Sequence, residues 1–388
     1  MDLELSEDES DLRDNVRAVL ASICPPAAVR AVYEGKGDRA SIWSRMVELS
    51  WPALAIPEQH GGLGLGFVEV ALVAEELGRA VVPSPFLATV TQFAPAVREL
   101  GGGSPLAGEV LGRVAAGEVT GTVALAEDGR WEPTAVHATA TATATGSADG
   151  WVLGGAKDAV LDGAQADEVV VVARAPGSSG RESLGAFLVP RTALAAAPRT
   201  VLDPTLPLAD LGLDGVVVPA DRVLAAPGTP GVAEALDRAG QEATVALATA
   251  TAGACRAIFE QTVEYAKVRE QYGRPIGSFQ ALKHRMADMF LAVERAASLC
   301  YFAALTIAED DPRRAEAASM AKAAAGECQG LIAKDGLQLH GGIGYTWEHD
   351  LHFLLKRAKS GDVLYGNAVH HRARLARMLG LVRGEAVA

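Results

Sequence analysis

The chain has 388 residues, too many for one ordinary core, and typical domain sizes divide it into two or three packed units. Its residues are 49% hydrophobic and 21% charged, which excludes a disordered polymer, and a formal charge of -13 disfavours nucleic acid as a partner because like charges repel. The cysteines, Cys24, Cys255, Cys300 and Cys328, form no CxxC pair and lie far apart, which fits reduced thiols in a core.

The amino terminus, MDLELSEDESDL, is acidic and lacks the basic-then-apolar layout of an export signal, so a cytoplasmic protein is expected. Ser6 followed by Glu9 is a capping box, and Leu12, Val16, Val19 and Leu20 continue it as an amphipathic helix. A glycine-rich segment, HGGLGLGF, separates an extended WPALAIPE stretch from a second helical run, VEVALVAEELGRA. No βαβ unit surrounds those glycines, so they read as a structural turn and not as a phosphate loop. Residues 1–118 are therefore expected to form a helical domain.

Residues 119–228 have a different texture. GWVLGG, EVVVVAR, GAFLVP and GVVVPA are short β-rich runs between glycine, proline and aspartate, which predicts a β-domain of barrel-like form. ATATATATG alternates with period two, placing Thr139, Thr141, Thr143 and Thr145 on one strand face with alanines on the other. From residue 229 to 388 the chain is helical again, with Ala-rich periodic stretches that predict a four-helix bundle. Asp311 and Pro312 stand where an N-cap and first helical residue belong, for a helix that Gly341 and Gly342 stop. The longest apolar stretch noted, Ala243 to Cys255, contains threonines and meets Arg256, so no membrane span is expected. The predicted fold class is thus α+β and multidomain, in the order helices, strands, helices.

Two segments carry the chemistry. VREQYGRPIGSFQALKHRMAD, residues 268–288, presents Arg269, Gln271, Tyr272 and Gln280: a guanidinium that can pair with phosphate, amides, and an aromatic plate for a heterocycle. DGLQLHGGIGYTWEHDLHFLLKRAKS, residues 335–360, ends a helix at Gly341 and Gly342, where a ligand can approach the backbone, with Gln338 one turn earlier. Taken singly, the first is also an arginine at a helix end and the second a helix terminator.

Together these segments resemble the flavin-binding signatures of the acyl-CoA dehydrogenase family, and the helix, strand, helix order is similar over nearly the whole chain. The resemblance implies FAD, gripped by Arg269, Gln271, Tyr272 and Gln280 of one subunit with Gln338, Gly341 and Gly342 of a neighbour, in a dimer or tetramer. It implies an acyl-CoA substrate, loss of an α-proton to a glutamate, hydride transfer from the β-carbon to the flavin, and electrons passed to an electron-transfer flavoprotein.

One departure stands out. Counting without a gap from Gly341 and Gly342, the family's glutamate–glycine pair falls on Tyr365 and Gly366. A phenol titrates near pH 10 in water, so tyrosine is a poor substitute for a carboxylate base. Some branches place the base on an earlier helix, at the register of Ala243; Glu242 is one residue away and is either that base or a structural carboxylate beside Arg238. The stretches ALAEDGRWEP and GGAKDAVLDGAQADE lack assignable flavin-contacting hydroxyls. With GYTWEHDLH they resemble a divergent branch associated with bulky acyl-CoA substrates such as steroid side chains. Some members of that branch pair with a related subunit, and one partner can lack the base. His349 with His352, and His370 with His371, have no accompanying ligand constellation, so no metal is expected.

Overall fold

A computed structural model describes residues 4–143 and 150–382. Helices α1 (Glu7–Ile23), α2 (Pro26–Tyr33), α3 (Arg39–Glu48), α4 (Phe67–Arg79), α5 (Phe86–Ala88), α6 (Ala94–Gly101) and α7 (Pro105–Ala115) come first. Strands β1 (Gly121–Ala124), β2 (Thr139–Ala142), β3 (Trp151–Gly154), β4 (Ala156–Leu161) and β5 (Glu168–Arg174) follow. Then come β6 (Leu184–Pro190), β7 (Ala195–Pro198), β8 (Leu208–Gly212), β9 (Val216–Val218) and β10 (Val223–Ala225). The remainder is α8 (Val232–Val268), the short strands β11 (Glu270–Gln271) and β12 (Arg274–Pro275), α9 (Gln280–Ala308), α10 (Arg314–His340), α11 (Leu351–Val363) and α12 (Ala368–Met378). The order of helices, strands and helices is the one expected.

By contacts between Cα atoms the chain divides into two compact units, one of Met1–Asp38, Phe67–Pro83 and Thr244–Ala388, the other of Arg39–Gly66 and Ser84–Ala243.

In the first unit the capping box starts α1 as expected: Glu9 N donates to Ser6 Oγ at 3.2 Å and Ser6 N donates to Glu9 Oε2 at 2.7 Å. Buried Glu76 on α4 holds Arg17 of α1 through both carboxylate oxygens. Gly78 and Gly253 let α4 and α8 touch backbone to backbone, since a Cβ at either would lie within about 2 Å of a carbonyl oxygen on the other helix. Helix α9 buries Met289, Val293, Ala296, Cys300, Ala303, Ala304 and Ile307, a spacing that keeps one face of a 3.6-residue helix against its neighbours. Helix α10 begins two residues later than the Asp311–Pro312 signal suggests. The Asp311 carboxylate accepts from the backbone N–H and guanidinium of Arg313, so these residues form a separate turn before the helix.

By length and composition α9, and not the Ala243–Cys255 stretch, is a helix apolar enough to cross a bilayer. Less than half of its apolar window is buried, and Phe290 and Leu291 are exposed on it.

In the second unit β5 and β6 form the spine of a seven-stranded sheet, paired antiparallel from Glu168↔Pro190 to Arg174↔Leu184. Every residue of β5 is buried, which explains why EVVVVAR reads as a continuous apolar run without alternation. The sheet order is β10-β6-β5-β2-β3-β9, with β1 beside β5 in parallel, and a second sheet runs β4-β8-β7. Trp151, Phe187 and Val171 of the first sheet share a core with Val160 and Leu211 of the second. In the Thr/Ala stretch Ala140 is buried while Thr139 and Thr141 are at least partly open; Thr145 lies outside the described residues.

WPALAIPE is not extended. Trp51–Ala53 and Glu58–His60 are short 3-10 turns, because the backbone oxygens of Ala53, Leu54 and Ile56 are taken by the N–H groups of Leu63, Leu65 and Gly64. The glycine-rich segment is thereby used as a structural turn.

Candidate functional site

The VREQYG segment joins α8 to α9 through a tight hairpin. Arg269 N donates to Tyr265 O at 2.8 Å, closing α8, and Ile276 N donates to Arg269 O at 2.7 Å. Between them β11 and β12 pair antiparallel around Tyr272 and Gly273, at φ of 53° and 75°. Two successive positive φ values define the mirror-image turn that suits the twist of a two-residue hairpin. Glycine adopts it freely; tyrosine does so at a cost.

The hairpin holds its polar groups outward. Tyr272 is 93% exposed, its ring edge-on to Phe279 at 6.1 Å, and the Arg274 guanidinium lies 4.2 Å over the Phe279 ring. Arg269, Gln271 and Gln280 are exposed, the last as the first residue of α9.

At the far end of α10 the chain turns at Gly341, with φ of 63° and ψ of -145°, a conformation that side chains other than hydrogen strongly disfavour. A Cβ at Gly341 or Gly342 would meet no heavy atom within 4 Å, so the space before this backbone is open. Gln338 is exposed one turn earlier.

The two segments meet within one chain through residues that sequence alone does not flag. His340, just before Gly341, stacks on Tyr265 at 4.7 Å and 19° between ring planes, and Tyr265 stands one turn before Arg269. His340 is fixed by Gly336 O at 2.8 Å from Nδ1, and burial lowers its pKa. Since a carbonyl only accepts, Nδ1 carries the proton. Arg285 of α9 and Asp335 of α10 pair at 3.6 Å nearby. An exposed guanidinium, amides, an aromatic plate and an open glycine corner are a donor set that fits a flavin dinucleotide: Arg269 for phosphate, Gln271, Gln280 and Gln338 for polar edges.

Of the two candidate base positions, the carboxylate of Glu242 is taken up in ion pairing. Glu242 is buried on α8 and pairs with Arg98; Arg98 also pairs with Glu99 at 3.1 Å, and Arg238 reaches Glu99 at 3.0 Å. Burial alone would lower the Arg98 pKa, but Glu242 and Glu99 together raise it. Glu242 is therefore one corner of a network of alternating charge. Beside it, the buried Gln241 Oε1 has no partner among the described residues.

Tyr365 is half-buried at φ of 59°, followed by Gly366 at φ of 90°. Its carbonyl accepts from His371 Nε2 at 2.9 Å. Of the other histidines, His352 stacks on Trp347 at 4.8 Å and His349 is edge-on to His340 at 5.1 Å. No group of three residues able to hold a metal occurs among the described residues.

The two stretches that lack flavin-contacting hydroxyls are joined to each other. Fully buried Lys157 donates to Glu127 Oε1 at 2.5 Å, and the same carboxylate accepts from His137 N and Ala138 N. Burial pushes the Lys157 pKa down to about 8, against the pull of Glu127. This pair ties the β1 side of the sheet to β4 and explains why a charge is tolerated inside GGAKDAVLDG.

The segments matched by known families and structures span both ends of the chain. The model of the acyl-CoA dehydrogenase N-terminal domain matches residues 6–118, and that of the acyl-CoA dehydrogenase C-terminal domain matches residues 232–380. Acyl-CoA dehydrogenase IpdE2 of Mycobacterium tuberculosis is 35% identical over 354 residues, covering 91% of each chain. The solved ChsE4-ChsE5 complex from Mycobacterium tuberculosis is similar at a TM-score of 0.85 and 28% identity, over 99% of this chain and 100% of that one. A Tcur3481-Tcur3483 steroid ACAD variant is similar at a TM-score of 0.84 and 29% identity, over 97% of this chain and 98% of that one.

Proposed function

The chain belongs to the acyl-CoA dehydrogenase family, FAD-dependent oxidoreductases of lipid metabolism, and from that premise we propose that it acts in α,β-dehydrogenation of a bulky acyl-CoA. The observation that carries this reading is the joining, by the Tyr265–His340 stack, of the exposed hairpin to the open Gly341–Gly342 corner. Arg269 would hold a phosphate of FAD, with Gln271, Tyr272, Gln280, Gln338, Gly341 and Gly342 around the rest of the dinucleotide. When bound, FAD supplies the acceptor for a hydride from the β-carbon, and an electron-transfer flavoprotein would take the electrons on. The protein must supply a base for the α-proton and a dry pocket. Similarity to a steroid ACAD supports a bulky acyl chain.

A second copy, or a related chain, would complete the site. The exposed apolar residues Phe290 and Leu291 of α9 support assembly. A second reading follows from the base positions: with Tyr365 in the place of the glutamate and Glu242 paired to Arg98, this chain would be the half of a hetero-oligomer that lacks the base. The similar ChsE4-ChsE5 structure is a complex of two differently named chains, which supports that arrangement.

Anaerobic mixing of the purified full chain with an acyl-CoA separates the readings. An active dehydrogenase is yellow and is bleached by the substrate; unchanged bleaching of Glu242→Gln would remove Glu242 as base. A half-site subunit is bleached only after addition of a related chain with an intact glutamate–glycine pair. A colourless chain that takes up no FAD would sink both.

A further inference from the structure

Lys322 of α10 is wholly buried, and its Nζ donates to the backbone oxygens of Asp362 at 2.7 Å and Gly366 at 2.8 Å. His371 of α12 is also buried, with Nε2 2.9 Å from Tyr365 O, while Nδ1 has no partner among the described residues. Because a carbonyl only accepts, the ring is the neutral tautomer with its proton on Nε2.

The segment they hold has little room to move. A Cβ at Gly326, one turn after Lys322, would lie 2.4 Å from Asp362 Oδ1, and one at Gly361 would lie 2.1 Å from Thr251 Oγ1 of α8.

We propose that Lys322 and His371 are positioning residues for the acyl-CoA end of the site: they grip three backbone carbonyls around Tyr365 and so fix where its ring stands. This rests on the reading that the Tyr365–Gly366 turn, at the position of the family's base, faces the substrate. Two acceptors match the two N–H bonds of a neutral amine, whereas an ammonium carries a third proton.

The surroundings agree. Lys322 is faced by Asp362 and Lys359 of α11 and Cys300 of α9, with His371 of α12 beyond; His371 in turn feels His370 and Arg374. Burial, opposed by Asp362, lowers the lysine to about 7, and burial lowers His371 to about 3. Opening the turn to water would restore the lysine to its usual 10.5. The open form then binds a proton that the closed form lacks, so opening becomes rarer as pH rises from about 7 towards 10.

Hydrogen exchange in residues 361–371 of the FAD-loaded full chain, corrected for intrinsic rates, tests the grip. Opening should be at least about tenfold more frequent at pH 6 than at pH 9. Lys322→Met should abolish that step, and peptides from β5 and β6 should lack it. A wild type without the step, which needs no variant to fold, overturns the proposal, as does an unchanged step in Lys322→Met. Titration with a steroid side-chain acyl-CoA, followed by flavin absorbance, tests the placement. Lys322→Met and His371→Gln should raise half-saturation about tenfold with FAD content unchanged. A steroid side-chain acyl-CoA that leaves the wild-type flavin spectrum unmoved, while the exchange step holds, overturns the acyl-CoA placement and the function behind it but not the grip.

Discussion

The Gly341–Gly342 corner and the Tyr365–Gly366 turn both follow long stretches of helix and both use glycine at positive φ, yet they are built in opposite ways. A Cβ at Gly341 would meet nothing within 4 Å, whereas one at Gly366 would lie 2.5 Å from His370 Cδ2. At the first, the glycine backbone faces open space, as a ligand-holding corner would require. At the second, Lys322 and His371 occupy carbonyls from behind, so the turn is held by the protein itself. Open backbone suits the uptake of a ligand, and gripped backbone suits geometry fixed in advance.

The largest effect that would sharpen this contrast is an acid limb of stability from His371. Its folded pKa is about 3 against 6.5 when unfolded, so between these values the unfolded chain binds a proton that the folded chain refuses. Stability contributed by keeping the ring neutral is present above pH 6.5 and is lost as pH falls towards 3, by up to roughly 5 kcal/mol at 1.36 kcal/mol per unit. His371→Gln, an uncharged donor, should flatten this limb in denaturant melts at pH 4, 5 and 7. A limb of the same steepness in the variant would mean that other groups cause it.

A smaller effect separates the two glycines. Gly341→Ala suffers only the backbone strain of its conformation, of order 1–3 kcal/mol, because no atom stands in the way. Gly366→Ala adds a collision with His370 and should cost more stability than Gly341→Ala. Ligand binding should show the reverse order, with FAD content falling further in Gly341→Ala. If both variants lose FAD equally and unfold equally, the distinction between open and gripped corners fails.

The same distinction explains what was legible in the sequence. Residues 169–173, buried on both faces of a sheet, read as an apolar run because burial acts directly on composition. Arg269, Gln271 and Gly341 stand out in the sequence because polar types and a helix-stopping glycine lie at short spacing, and the hold on FAD proposed for them rests on that pattern. Tyr265 against His340, Lys322 against Gly366, and Lys157 against Glu127 join distant positions through single contacts that leave no periodic trace. The ion pair of Glu242 with Arg98 was hidden for the same reason: Arg98 stands on α6, far from Glu242 in sequence, and only packing brings it near. The turns of WPALAIPE were hidden because their hydrogen bonds come from a later segment, residues 63–65.

The smallest expected change in stability belongs to Tyr272, and there the contrast can be broken most cleanly. Its side chain is 93% exposed, so deleting it removes almost no packing. Its φ of 53° strains any residue with a side chain, and glycine would relieve that strain while making the unfolded chain more flexible. These terms oppose each other, and Tyr272→Gly should stay within about 0.5 kcal/mol of the wild type in a denaturant melt. If the ring serves a ligand, its loss should appear instead as weaker FAD uptake by the apoprotein, on the order of tenfold, the scale of one aromatic contact with a heterocycle. Unchanged FAD affinity would remove the ring of Tyr272 from the holding set and leave the hairpin to act through Arg269 and its neighbouring amides.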